Sequence, residues 1–367
     1  MPKDIVNQST STIYQEWPKT DVESVPICPM CESGRRTLLH GNVKDWVFAC
    51  APGSWNYWRC DSCESLYLDA RPTEASIGRA YENYYTHSDA QSKKGSLSTS
   101  AVRIAVAIKQ GFLNYALGTN LPNAITFPIA VYRILKKLEL VPRMFLQDIK
   151  SSKPGLMLDL GCGDGRLMLV AKKYGWDVVG LEVDDAAVKA AGQKGLEVHL
   201  GSYKEIADLN QKFDLIVCSH VVEHVHDPRQ LISLALASLG EGGQLWLQWP
   251  NPKADGLRKY GVHWRGLEAP RHLCLPSTGS IRRFTESIET AAFIVEDNST
   301  FWKWAQISMY EASEKIQKSG SSRISRLNFL RAALRFIQTR SNISECELCT
   351  ITIRKTNTHN ERHLSTR

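Results

Sequence analysis

The run Leu156-Met157-Leu158-Asp159-Leu160-Gly161-Cys162-Gly163-Asp164-Gly165-Arg166 decides the fold of this 367-residue chain. Its apolar opening reads as a buried strand of a parallel sheet. Three glycines at alternate positions then mark a sharp turn from strand into helix. Lacking Cβ, glycine takes positive φ without strain and lets a ligand lie against bare backbone. The N–H groups that open the following helix face that ligand. Arg166 stands where the dinucleotide fingerprint Gly-x-Gly-x-x-Gly needs its last glycine. Asp159, two residues before the first glycine, adds an anion beside the turn, which suits a cationic ligand better than a pyrophosphate.

Outward from the turn, Asp177-Val178-Val179-Gly180-Leu181-Glu182 reads as a second strand, ending in a carboxylate 21 residues beyond Gly161. An acidic side chain at that point accepts hydrogen bonds from the ribose hydroxyls of an adenosine-containing ligand. A helix over 184–193, a strand over 197–200 and Gly201-Ser202 come next. A fourth strand, 213–218, runs into Ser219-His220-Val221-Val222-Glu223-His224-Val225-His226-Asp227-Pro228. A further helix leads to a fifth strand in Gly242-Gly243-Gln244-Leu245-Trp246-Leu247-Gln248-Trp249-Pro250-Asn251. This alternation predicts an α/β fold, a doubly wound Rossmann-like sheet with its ligand over the C-terminal strand ends.

From about residue 153 to 295 the chain resembles the class I S-adenosylmethionine-dependent methyltransferases. The resemblance is carried by Asp159-x-Gly161-x-Gly163-x-Gly165, Glu182, Phe213-Asp214-Leu215-Ile216-Val217, Glu223-His224-Val225-x-Asp227-Pro228 and the Gly242-Gly243 strand start. It implies that Asp159, Gly161 and Gly163, with Gly165 completing the turn, line the methionine end of the cofactor, and that Glu182 holds its ribose. Ser202 and Tyr203 border the adenine by the same analogy, and His220 is assigned to the cofactor rim. The methyltransferase core is expected over 151–300, with its last strand at 346–355, antiparallel at one edge of the sheet.

Ten cysteines in a chain without an evident signal peptide read as metal ligands or buried thiols before disulfides. Cys28-Pro29-Met30-Cys31 and Cys60-Asp61-Ser62-Cys63, with 28 residues between them, can wrap one tetrahedral Zn²⁺. With four protein ligands such a zinc is structural. A zinc-ribbon-like lobe is therefore expected over 26–72, with a hairpin between the pairs and Cys50 as a buried thiol. The third pair, Cys346 and Cys349, continues into Thr350-Ile351-Thr352-Ile353-Arg354 and reads as a strand.

Composition, at 43% hydrophobic and 23% charged residues, is that of an ordinary soluble domain, and a cytoplasmic location is expected. The apolar stretch around 101–138 is broken by Asn114, Asn120, Pro122, Asn123 and Pro128, so no transmembrane helix is expected there. A net charge of +7 does not demand nucleic acid. Residues 1–25 read as a flexible N-terminus, 73–150 as a helical linker or cap, 301–345 as a helical insertion and 356–367 as a disordered tail. Within the insertion, Arg323, Arg326, Arg331, Arg335 and Arg340 line a basic amphipathic helix over 323–340. That helix is either a solvated face or a peripheral contact for phosphates or an acidic lipid surface.

Methyl transfer from a sulfonium needs alignment and, for a hydroxyl or carbon acid acceptor, a base. Candidate bases are His224, after strand four, and His272, in the long segment between Pro250 and a helix starting near Ser277. A segment of that length suggests a lid or binding element. A zinc lobe ahead of a methyltransferase sheet is similar to the sugar C-methyltransferases and related small-molecule enzymes, although their further C-terminal domain is not evident. The acceptor expected is a small molecule, such as a nucleotide sugar or glycan precursor. RNA methylation is the alternative, but the lobe mixes Arg35, Arg36 and Arg59 with Asp45, Asp61 and Glu64 and has no basic stripe. A non-catalytic partner subunit would carry a damaged cofactor site, and this one is intact.

Overall fold

The computed structural model describes residues 15–82, 111, 125, 153–288, 292–297, 313 and 345–356. Most of the expected cap, the insertion with its basic helix and all but the first residue of the tail lie outside the described residues. The N-terminal part contributes β1 (Val22–Glu23), β2 (Arg36–Val43), β3 (Trp55–Cys60), β4 (Leu66–Leu68) and β5 (Arg71–Pro72). The central part follows as β6 (Leu156–Leu160), α1 (Arg166–Lys173), β7 (Asp177–Glu182), α2 (Asp185–Gly192), β8 (Glu197–Leu200) and β9 (Phe213–Ser219). It continues through α3 (Pro228–Ala237), β10 (Leu239–Pro250), α4 (Asp255–Tyr260), β11 (Cys274–Leu275), α5 (Thr278–Glu286), β12 (Phe293–Asp297) and β13 (Leu348–Lys355).

Three of the five described helices, α2, α3 and α5, begin where a side-chain oxygen relieves an unpaired N–H group of the first turn. Asp184 accepts from the N–H of Ala186, Asp227 from that of Gln230 with Pro228 at the first helical position, and Ser277 from that of Ser280. Each cap immediately follows the loop leaving a strand, so the α/β alternation is fixed locally.

Seven strands form one sheet in the order β8-β7-β6-β9-β10-β13-β12. The ladders joining β8, β7, β6, β9 and β10 are parallel. The chain winds outward from β6 to β8, then returns to the other side of β6 as β9. The crevice between the C-terminal ends of β6 and β9 is thus the switch point where such sheets hold ligands. β13 is antiparallel to its neighbours, as expected, but it is not at the edge. It lies between β10 and β12, and β12 takes the outer position. Burial gives the reason: Cys349 to Ile353 are covered on both faces, whereas Ile294 of β12 is exposed.

The hairpin expected between the cysteine pairs is β2 against β3. Its sheet runs β11-β4-β3-β2, so the edge strand beside β4 comes from the segment after β10 and not from the lobe. A lobe this small buries too little apolar surface alone. Trp55, Tyr57, Leu66 and Leu68 instead share one apolar cluster with Leu257, Trp264, Leu267 and Leu273. The buried Tyr57 hydroxyl lies 2.7 Å from the carbonyl oxygen of His272 and also contacts that of Leu267. Among the described residues no helix is long and apolar enough to cross a membrane.

Candidate functional site

At the end of β6 the backbone adopts positive φ at Gly161 (71°), Gly163 (54°) and Gly165 (77°). Two of these glycines are demanded by packing. A Cβ on Gly161 would stand 2.6 Å from Val221 Cγ2, and one on Gly165 would stand 2.2 Å from Leu196 Cδ1. At Gly163 a Cβ would meet nothing within 4 Å, so this peptide borders open space. Beside it, the Glu182 carboxylate accepts from the N–H groups of Gly163 (2.8 Å), Val183 (2.8 Å) and Asp184 (3.0 Å). A carboxylate offers about four lone-pair sites, so one remains for a ligand hydroxyl. Asp159 is buried one strand away; burial first, then the charge of Glu182, pushes its carboxyl up to about 7. A turn open at Gly163, with two carboxylates beside it, fits a hydroxyl-rich, cationic ligand.

The residues expected at the adenine have local duties. Ser202 caps the 3-10 turn Tyr203–Leu209 in a reciprocal box with Glu205. Tyr203 is buried, and its hydroxyl donates to Gln230 Oε1 at 3.1 Å. Ser202 is thus committed to its own cap, and the Tyr203 ring belongs to the core.

At the end of β9, His220 takes positive φ (56°) and its N–H donates to Gln248 O at 2.8 Å. Its side chain is 44% exposed, and Nδ1 lies 3.0 Å from Glu223 Oε1. Burial draws the imidazole pKa down, but the hydrogen bond and charge of Glu223 outweigh it and hold it above the ordinary histidine value. Glu223 is fully buried, and its Oε2 has no hydrogen-bond partner among the described residues.

The structure brings His224 and His272 together, edge to face, with ring centroids 4.7 Å apart. His272 Nδ1 lies 2.7 Å from Gly266 O, and His224 Nδ1 lies 3.0 Å from Arg271 O. A carbonyl can only accept, so in both rings Nδ1 carries a proton and Nε2 is the nitrogen left for other partners. The Tyr81 hydroxyl, also 3.0 Å from His224 Nδ1, is a second neighbour of that N–H. Burial, and then His272, lowers the pKa of His224 to about 4, so it is neutral at physiological pH.

What fixes His272 was not visible in its own stretch of sequence. Its neighbour Arg271 is fully buried, with Nη2 2.6 Å from Asp45 Oδ1, Nη1 2.9 Å from Ala80 O and Nε 3.2 Å from Glu268 Oε1. The guanidinium lies 5.0 Å from the ring centroid of Phe48. Asp45 also accepts from the N–H groups of Phe48, Cys50 and Ala51. Burial opposes ionisation of Glu268, but His272, Arg271, Arg265 and His224 hold its carboxyl near 2. The zinc-type lobe thus clamps the segment that carries His272. An arginine flanked by Ala269, Pro270 and Leu273 was the available signal.

The four cysteines of the lobe also meet. Cys28 Sγ lies 3.6 Å from Cys63 Sγ, Cys31 Sγ lies 3.4 Å from Cys60 Sγ, and all four sulfurs fall within 4.8 Å of one another. Tetrahedral bonds of about 2.3 Å set sulfurs about 3.8 Å apart, so the cluster fits one Zn²⁺ and leaves no open position. The knuckles repeat each other. Glu32 and Glu64 follow the second cysteine of each pair at φ 59° and 63°. Cys28 N–H donates to Ser33 O and Cys60 N–H to Ser65 O. The common pattern Cys-x-x-Cys-Glu-Ser is a repeat that cysteine spacing alone did not expose. Co²⁺ exchanged into the lobe should show thiolate charge-transfer absorption in the wild type and none in Cys60→Ser; charge transfer kept by that variant would refute the assignment. Among the described residues Cys346 and Cys349 join no such cluster, and Cys349 is a buried residue of β13.

Residues 131–288 match a family model described as a methyltransferase domain. Ubiquinone biosynthesis O-methyltransferase of Coxiella burnetii (strain Dugway 5J108-111) is 30% identical over 101 residues, covering 26% of this chain and 43% of that protein. The protein of the same name from Stutzerimonas stutzeri (strain A1501) is 28% identical over 149 residues, covering 37% of this chain and 61% of its own. The chain thus spans between 43% and 61% of the length of these curated relatives. A solved S-adenosylmethionine-dependent methyltransferase from Archaeoglobus fulgidus aligns at a TM-score of 0.40 with 16% identity, over 60% of this chain and 94% of that one.

Proposed function

With a class I S-adenosylmethionine-dependent methyltransferase domain at its centre, this chain, we propose, transfers a methyl group from S-adenosylmethionine to a hydroxyl-bearing small molecule. Sugars and polysaccharide precursors belong to the class of acceptor meant. The observation that carries the reading is the juxtaposition at one sheet edge. An open glycine turn with Glu182 follows β6 and β7, and two adjoining imidazoles lie beyond the end of the adjacent β9.

When bound, the cofactor supplies an electrophilic methyl group. Glu182 holds the ribose, Asp159 meets the cationic methionine end, and Gly161, Gly163 and Gly165 let that end lie against backbone. Ser202 stands by the adenine and His220 at the rim. His224 and His272 present Nε2 towards an acceptor, which the clamped segment 264–276 helps to enclose. The O-methyltransferase names of the relatives favour a hydroxyl acceptor, and the mixed charges of the lobe disfavour RNA. Incubation with labelled methyl donor and a panel of small hydroxyl compounds, nucleotide sugars, glycans and RNA tests the reading. Label should enter a small molecule; label in RNA alone would overturn it.

The Asp159 carboxyl adds a pH dependence. Below about 7 it is protonated and cannot attract a cation; above, it can. A cationic cofactor selects the deprotonated form, so affinity should rise with pH, about tenfold between about pH 6 and 8, and then level off. Calorimetry across that range measures it, and an affinity that falls or stays flat would remove Asp159 from the cofactor site.

A further inference from the structure

We propose that Glu223, His224 and His272 form a second metal site, for a first-row divalent cation, facing the acceptor. Each residue offers one ligand atom, and the three atoms lie within 4.8 Å of one another. Bonds of about 2.0–2.1 Å in a tetrahedral shell set ligand atoms about 3.4 Å apart, so small side-chain rotations close the set.

Three further features are those of a built site. Both histidines donate Nδ1–H to a backbone carbonyl, Gly266 O and Arg271 O, the outer contact that orients metal-binding imidazoles and leaves Nε2 as ligand. Glu223 is fully buried, yet its Oε2 has no partner among the described residues. A buried carboxylate oxygen left unpaired is costly, and a cation would satisfy it. The Asp45–Arg271 pair fixes the segment that bears His272, so the ligand set is held by rigid neighbours.

Two imidazoles and one carboxylate suit zinc, iron(II), cobalt or manganese and leave coordination positions open. An oxygen of the acceptor occupies them. The inference rests on the reading of this face as the acceptor site. With the cation bound, His224 and His272 serve as ligands, and the cation meets the acceptor oxygen directly.

Protein holding one zinc per chain, at the four cysteines, should be titrated with Co²⁺, followed by visible absorption and elemental analysis, with S-adenosylhomocysteine calorimetry on the same samples. One added cobalt per chain is expected, with weak d–d bands and no thiolate charge transfer. Glu223→Gln and His272→Gln should each lose it, while S-adenosylhomocysteine binding and the cysteine-bound zinc stay unchanged. No cobalt beyond the four-cysteine site, or cobalt retained in both variants, overturns the proposal. Lost S-adenosylhomocysteine binding in wild type would instead overturn the methyltransferase reading, so the two failures are distinct.

Discussion

Replacing His224 with Ala should lower kcat by about 10²–10⁴-fold, the usual cost of removing the group that activates a hydroxyl. His224 is neutral, its Nδ1–H is committed to Arg271 O, and its Nε2 lone pair is available to an acceptor proton or a cation. His272 stands edge to face with it under the same constraint, so His272→Ala should fall in the same range. Neither ring is in the glycine turn or beside Glu182, and S-adenosylhomocysteine affinity should therefore be kept. Initial rates on the acceptor found by the panel, with calorimetry of each variant, measure both quantities. Near-normal turnover in both variants would mean that alignment alone suffices and that the two rings serve packing.

The second large effect concerns stability. Asp45→Ala should destabilise the fold by about 3–5 kcal/mol, because it leaves the Arg271 guanidinium buried without its closest anion. Three backbone N–H groups lose their acceptor as well. Asp45→Ala with Arg271→Met should cost less than the sum of the two single changes, since both remove the same ion pair. Urea unfolding followed by tryptophan fluorescence gives both values. A loss below about 1 kcal/mol for Asp45→Ala would show that the pair is not buried as described.

The parts of the fold that were legible in the sequence are those written in short range. The glycine turn, the carboxylate ending β7 and the caps Asp184, Asp227 and Ser277 each announce themselves within a few residues. Ser202-x-x-Glu205 is equally local, a capping box spelled out over four residues. What was not legible depends on pairings between distant segments. Nothing local says that β13 enters between β10 and β12, or that β11 completes the lobe's sheet. Asp45 and Arg271 are 226 residues apart, and the apolar neighbours of Arg271 hint at its burial without naming its partner. His224 and His272 could be named singly as candidate bases. Their meeting, and the convergence of Glu223 on them, follows only from the lobe clamping the segment after β10.

Calorimetric titration of the purified chain with S-adenosylhomocysteine tests most directly whether the turn after β6 and Glu182 hold the methyl donor. The wild type should bind one equivalent with affinity in the micromolar range, as expected of a largely preformed cofactor site. Glu182→Ala should weaken binding by about 1.5–3 kcal/mol, roughly 10–150-fold, the cost of losing hydrogen bonds to a charged group. No binding by the wild type, or NAD bound in its place, would contradict the account.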